Sequence, residues 1–306
     1  MPVRIGIMVG GEVLGQRADL GKLLREARRA EERGFASAWA PHIFGLDAIG
    51  ALAVAGCETR RIELGTAVVP AFARHPFALA QQALTAQAAT EGRFTLGVGV
   101  SHRFIVEGVL GLSYERPAGR MREYLSVLAP LLEGGSVAYE GEAYRVNGEL
   151  RFPANDPVPV LVAALGPAML RLAGSLAAGT VTWMAGPRTL EGHIVPRIRA
   201  AAEDSGRPEP RVVAMVPIAL TNAPDRGREA ADKLFRRYGR APSYRAVLDL
   251  EGAAGPADVA LVGDEATVGA GLRRLADAGV SEVVAVPFST DEGAVEGTLD
   301  FLAAFA

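Results

Sequence analysis

The sequence predicts an α/β protein, a (β/α)8 TIM barrel with insertion segments, and three observations predict it. Apolar strand-like runs alternate with amphipathic helix-like runs almost throughout the chain, the pattern of parallel βαβ units. The alternation yields eight strands, the number that closes a barrel. The 306 residues, 49% of them hydrophobic, supply one large core, so a single domain over residues 1–306 is expected.

Each unit can be justified in order. Residues 3–9 form an apolar strand, and residues 19–33 a helix stopped by Gly34, a residue suited to the left-handed cap. Strand two covers 36–40 and an Ala-rich helix 48–55. Strand three covers 62–69 and its helix 76–90, with Pro76 in the first turn where its missing N–H costs nothing. Strand four is 94–98. Its helix, 117–132, comes only after a loop of nearly twenty residues, a length usually reserved for function or disorder. Residues 137–139 and 143–146 alternate around Glu140-Gly141-Glu142 as an inserted hairpin. Strand five is 159–163 with helix 168–178, and strand six is 180–183 with helix 188–205. Strand seven is 212–220 with helix 226–238, followed by a Gly-, Pro- and Ala-rich excursion over 241–256. Helix 267–278, strand eight at 282–286 and a terminal helix from Gly293 complete the chain.

Composition excludes several classes. A net charge of -3 with no basic stripe gives no footprint for nucleic acid. No apolar run reaches ~18 residues, which argues against a membrane span, and residues 1–10 lack the features of a signal peptide, so a cytoplasmic location is expected. Cys57 is the single cysteine; beside Gly56 in a helix, it reads as a small packed residue rather than a nucleophile. Only Lys22 and Lys233 are lysines, both in surface helices, which leaves no candidate for Schiff-base chemistry. The four histidines, His42, His75, His102 and His193, show no metal-ligand spacing, and no nucleophile-elbow motif is present. The chemistry must then come from an organic cofactor.

In a barrel the site lies at the C-terminal ends of the strands. After strand two stands His42, able to transfer protons near neutral pH or simply to hydrogen-bond in the rim. After strand three, Arg74-His75-Pro76 reads mainly as a helix start. After strand four, Gly97-Val98-Gly99-Val100-Ser101-His102-Arg103 lets a ligand approach the backbone and ends in His102. After strand five, Ala163-Ala164-Leu165-Gly166-Pro167 opens a helix whose N–H groups could seat a phosphate, or merely packs closely. Trp183, at the end of strand six, could cover an aromatic cofactor or pack half-buried.

Three stretches together, Ile62-Glu63-Leu64-Gly65-Thr66-Ala67-Val68-Val69-Pro70, Arg74-His75-Pro76 and Gly92-Arg93-Phe94-Thr95-Leu96-Gly97-Val98-Gly99, resemble the luciferase-like oxidoreductases. With Ser101-His102-Arg103, Pro117-Ala118-Gly119-Arg120-Met121, the strand-five turn and Leu261-Val262-Gly263-Asp264, the whole chain is similar to the coenzyme F420-dependent branch of that superfamily. The resemblance implies a cofactor ring at the strand ends and, usually, a homodimer. It implies a non-prolyl cis peptide in strand three, at Ala67-Val68, a conformation that persists only where the surroundings enforce it. It implies cofactor contacts from Thr66, Ala67, Val68, Gly99, Val100, Ser101, Ala163, Ala164 and Gly166, and catalytic roles for His42 and His102. There are departures: many deazaflavin members have Asp immediately before the strand-two His, where this chain has Pro41, and His102 stands where some carry a catalytic glutamate. These argue against a sugar-phosphate dehydrogenase that uses that acid. The expected activity is hydride transfer between F420 and a small-molecule substrate. Two other readings are an FMN-dependent monooxygenase fed by a separate reductase, and a non-catalytic cofactor-binding dimer.

Overall fold

The computed structural model describes residues 4–151, 157–290 and 294–305. From the N-terminal side the elements are β1 (Arg4–Met8), α1 (Leu20–Glu32), β2 (Ser37–Ala40), α2 (Ala48–Glu58), β3 (Glu63–Thr66) and β4 (Val69–Pro70). Next come α3 (Pro76–Ala89), β5 (Phe94–Gly99), α4 (Arg103–Gly108) and α5 (Pro117–Leu132). An antiparallel hairpin, β6 (Ser136–Glu140) and β7 (Arg145–Glu149), precedes β8 (Val160–Ala163), α6 (Pro167–Leu176), β9 (Gly179–Trp183), the short α7 (Pro187–Thr189) and α8 (Val195–Asp204). Then follow β10 (Arg211–Leu220), α9 (Pro224–Phe235), α10 (Pro242–Glu251), β11 (Leu261–Gly263), α11 (Glu265–Asp277), β12 (Glu282–Pro287) and α12 (Ala294–Phe305).

Eight of these strands close a parallel barrel in the order β1-β2-β3-β5-β8-β9-β10-β12, and β12 pairs back onto β1. Helix starts follow local chemistry. Asp19, Asp47 and Asp264 cap α1, α2 and α11 by accepting the N–H of Lys22, Gly50 and Thr267, and Pro occupies the first turn of α3, α5, α6, α9 and α10. Gly34 takes φ 83°, as its place after α1 requires.

The N-terminal ends of the strands are sealed by a polar layer. Glu63 and Glu282 share Arg211, at 2.8 and 2.9 Å, while Thr95 and Arg4 also bond Glu63, at 2.6 and 2.9 Å. Glu282 further accepts from Ser37 and from the Trp39 indole. Burial alone would raise the Glu63 pKa, but the Arg211 charge, the bonds from Arg211 and Thr95, and Arg4 outweigh it and hold the carboxyl below its ordinary range. This end is a structural plug, which leaves the opposite mouth for chemistry.

The structure adds elements that the sequence pattern did not show. The long loop after β5 contains α4, and the excursion after β10 contains α10 and leads to β11, which lengthens the β10 edge. Short or Gly/Pro-flanked runs carry too little periodicity to reveal such pieces. The expected strand 62–69 is interrupted: β3 stops at Thr66, the Ala67-Val68 peptide is cis, and pairing resumes at Val69. Cys57 lies in α2 as expected but is exposed rather than packed, its Sγ 3.5 Å from the Ala53 carbonyl oxygen. The helix that contains residue 197 begins with a π turn at Leu190–Ile194. Val3 and Gly293, expected at the start of the first strand and of the last helix, lie outside the described residues.

Candidate active site

The strand ends opposite the polar plug gather most of the residues expected there. Ala67 and Val68 are half-buried and bulge towards β5. The bulge is possible because β5 has glycine where it passes. A Cβ on Gly97 would lie 2.0 Å from the Thr66 carbonyl oxygen, and one on Gly99 would lie 2.8 Å from Val68 Cγ2. The Thr66 hydroxyl is fully used within this contact, donating to the Gly97 carbonyl and accepting the Gly97 N–H, both at 2.9 Å. Thr66 therefore shapes the seat through its backbone rather than offering a free hydroxyl.

Two non-glycine residues at this rim take left-handed backbone conformations: Ser101 after β5 (φ 60°) and Met184 after β9 (φ 61°). Each costs of order 1 kcal/mol, and such conformations concentrate at functional sites. The Ser101 carbonyl is fixed by the Tyr114 hydroxyl at 3.1 Å. Val100 is half-buried beside it and packs on the core.

The two candidate catalytic histidines differ. His42 is held from several sides: its Nδ1 accepts the Ala48 N–H at 3.2 Å and lies 3.5 Å from Asp47 Oδ1, and its Nε2 lies 3.4 Å from the Arg74 guanidinium. Arg74 is in turn anchored on Asp47 at 3.0 Å. Burial and the Arg74 charge lower the His42 pKa, with Asp47 pulling the other way. His102, the N-cap of α4, has no hydrogen-bond partner on its ring among the described residues. It stacks on Phe104, with centroids 5.7 Å apart and planes at 11°, and tilts against Tyr244 at 5.5 Å. Burial alone lowers its pKa.

Next along the rim, at the end of β8 beside β5, Ala163 is half-buried, Ala164 buried and Gly166 exposed. Gly166 is the N-cap of α6, and a Cβ there would meet open space. Close packing therefore does not explain this glycine, whereas the free first-turn N–H groups of α6 suit an anion. His193 donates to the Leu165 carbonyl at 2.8 Å and so pins this turn.

Trp183 is half-buried and packs edge-on against Phe235 at 5.7 Å and Tyr238 at 5.6 Å, which favours the packing reading. His75 is a helix start: its ring accepts the Phe77 N–H and packs against Tyr144. Sequence reading did not find the Asp47–Arg74 clamp on His42, although Asp47 is legible as a helix cap, nor Tyr238, in the turn after α9, nor Tyr244, which the excursion carries in. The excursion is fastened by Glu251, whose carboxylate accepts the Arg188 and Thr189 N–H groups at 3.2 and 2.7 Å. A groove of about 1100 Å³ between α9 and residues 254–258 is walled by charged side chains and includes none of these strand-end residues.

The luciferase-like monooxygenase family profile matches residues 2–282. The chain belongs to this family. It is 32% identical over 256 residues to the F420-dependent glucose-6-phosphate dehydrogenase of Nakamurella multipartita, covering 76% of this chain and 72% of the relative. Among solved structures, the coenzyme F420-dependent tetrahydromethanopterin reductase of Methanopyrus kandleri superposes with a TM-score of 0.82 at 23% identity, over 99% of this chain and 98% of the other. An F420-dependent secondary alcohol dehydrogenase in complex with an F420-acetone adduct superposes with a TM-score of 0.83 at 20% identity, over 100% of this chain and 98% of the other. At these identities the two structures establish the common luciferase-like barrel. This chain has a third strand interrupted after Thr66 and carries Pro41 before His42.

Proposed function

We propose that the chain is an F420-dependent oxidoreductase that moves a hydride between the deazaflavin C5 and a carbon of a small organic substrate. The observation that carries this reading is the seat at the strand ends, where the Thr66 carbonyl of β3 and Val68 pack over side-chain-free Gly97 and Gly99 of β5, with His42 following β2 and His102 following β5. A flat tricyclic ring fits against such a backbone ledge. The named relative supports F420 over other ring cofactors. The N-terminal turn of α6 at Gly166 would hold the cofactor's phosphate, with Ala163 and Ala164 lining the approach. Bound F420 supplies two-electron chemistry at C5 and reacts poorly with oxygen.

The protein's own share is orientation and proton handling. His42 is the positioning residue: its Nδ1 accepts the Ala48 N–H and its Nε2 lies 3.4 Å from the Arg74 guanidinium, so the ring is held in one orientation at the mouth. His102 is the proton carrier, because neither ring nitrogen is engaged among the described residues and burial, by lowering its pKa, keeps the neutral ring, with one nitrogen open to a proton, at pH 7. Asp47 and Arg74 hold His42 in place. The resemblance also supports a homodimer, which sedimentation velocity tests.

The deciding experiment titrates the purified protein with F420 and with FMN in parallel, followed by fluorescence. Micromolar or tighter binding of F420 alone is expected. Tight binding of FMN alone would replace this reading with the oxygen-using one.

A further inference from the structure

The excursion between β10 and β11 completes a wall of aromatic rings across the barrel mouth. From His102 after β5 the contacts run to Tyr244 at 5.5 Å, then Tyr238 at 5.5 Å and Trp183 at 5.6 Å, so that rings from the loop after β5, from β9, from the turn after α9 and from the excursion are contiguous. Phe104 extends it beyond His102 and is 67% exposed, an apolar surface left open at the rim.

The basic residues that adjoin these rings in sequence are all engaged. Arg103 pairs with Glu107 at 2.6 Å. Arg237 donates to the Val13 carbonyl at 3.3 Å and to the Tyr238 hydroxyl at 3.2 Å, with its guanidinium 5.0 Å from that ring's centre. Arg245 pairs with Asp249 at 2.8 Å and bonds the Ala253 and Ala254 carbonyls. A phosphate or carboxylate brought against this wall would lose water and find none of these three guanidinium groups free to neutralise its charge, which is costly. A flat uncharged molecule would instead gain ring contacts of the kind already present. One polar handle remains. The Tyr244 hydroxyl bonds no described residue, and burial raises its pKa, so it stays an O–H donor across the working pH range.

Building on the hydride-transfer reading above, we propose that the substrate is an uncharged planar carbonyl compound, its ring or conjugated body against Tyr238, Tyr244 and Phe104 and its oxygen near the Tyr244 hydroxyl. Tyr244 is then the specificity-determining residue.

The test is isothermal titration calorimetry on the chain loaded with oxidised F420, in which a ketone can bind but not be reduced. Acetophenone should bind saturably, and glucose 6-phosphate should give neither saturable heat nor bleaching of the deazaflavin band. Tyr244→Ala should weaken acetophenone binding roughly tenfold, and Tyr244→Phe by about half of that effect on a logarithmic scale. F420 affinity should be unchanged in both variants. Saturable glucose 6-phosphate binding, no acetophenone binding to the parent chain, or equal acetophenone affinity in all three proteins overturns the substrate class while leaving the cofactor assignment intact. Failure of the parent chain to bind F420 overturns both.

Discussion

Arg211 offers a way to separate the scaffold from the chemistry. Its guanidinium is the cation between two carboxylates, 2.8 Å from Glu63 and 2.9 Å from Glu282, at the end of the barrel opposite the histidines. In Arg211→Met the carboxylates remain, Glu282 at 1% exposure and Glu63 at 18%, without their shared partner. Removing one side of a buried ion pair costs ~3–5 kcal/mol. Because Arg211 keeps 25% exposure, the lower end, about 3 kcal/mol, is the expectation. For a chain of 306 residues, with ~2.1 cal/mol/K of unfolding entropy per residue, that is a fall in Tm of roughly 5 °C. The pH dependence gives a second signature. In the parent protein the Glu63 pKa is depressed, so its contribution is present above the unfolded carboxylate pKa and is lost as pH falls through the lower folded value. Without Arg211 the strongest opponent of burial is gone and the Glu63 pKa rises, with Arg4 and Thr95 still pulling it down, so protonation relieves part of the penalty. The deficit should therefore be largest near pH 8 and shrink towards pH 5. Thermal unfolding by circular dichroism at pH 8, 6.5 and 5, with F420 affinity as a control, reads all of this. A Tm within 1 °C of the parent at pH 8, or a deficit independent of pH, would refute the account of the plug.

Three further outcomes follow from the mouth. His102→Ala should lower hydride transfer about 10²–10⁴-fold, and His42→Ala by a smaller factor, with F420 affinity nearly unchanged; stopped-flow absorbance of the deazaflavin measures it, and full rates in both would remove these residues from the reaction. Arg74→Ala should raise the His42 pKa, since it removes a neighbouring cation; an NMR titration of the histidine rings checks the sign, and an unchanged His42 would show that the clamp is not electrostatic. Gly97→Ala places a Cβ 2.0 Å from the Thr66 oxygen, an overpacking that should cost ~1–3 kcal/mol and weaken F420 binding; unaltered Tm and affinity would mean that the ledge is not the seat.

The sequence alone was enough for the barrel and the direction in which to search it. Eight apolar runs separated by capped helices admit few other closed arrangements, because each cap and Pro at a helix start acts locally and is legible without the fold. Gly97, Gly99 and Gly166 could be marked for the same reason: they follow strands, and a residue without a side chain there admits backbone or ligand. The resemblance located the cis peptide at Ala67-Val68 and singled out His42 and His102.

What only the tertiary structure decided is how those residues differ from one another. His42 and His102 are alike as letters, yet one is held by Asp47, Arg74 and the Ala48 N–H while the other stacks unbonded between Phe104 and Tyr244. The pairing of Glu63 and Glu282 through Arg211 joins residues 71 or more positions apart, and Tyr244 meets His102 only because the excursion folds back across the mouth. Caps and strand patterns arise from contacts between near neighbours, which a sequence displays directly. Partners that confer charge state, accessibility and specificity are brought together by barrel closure, and no local pattern encodes them.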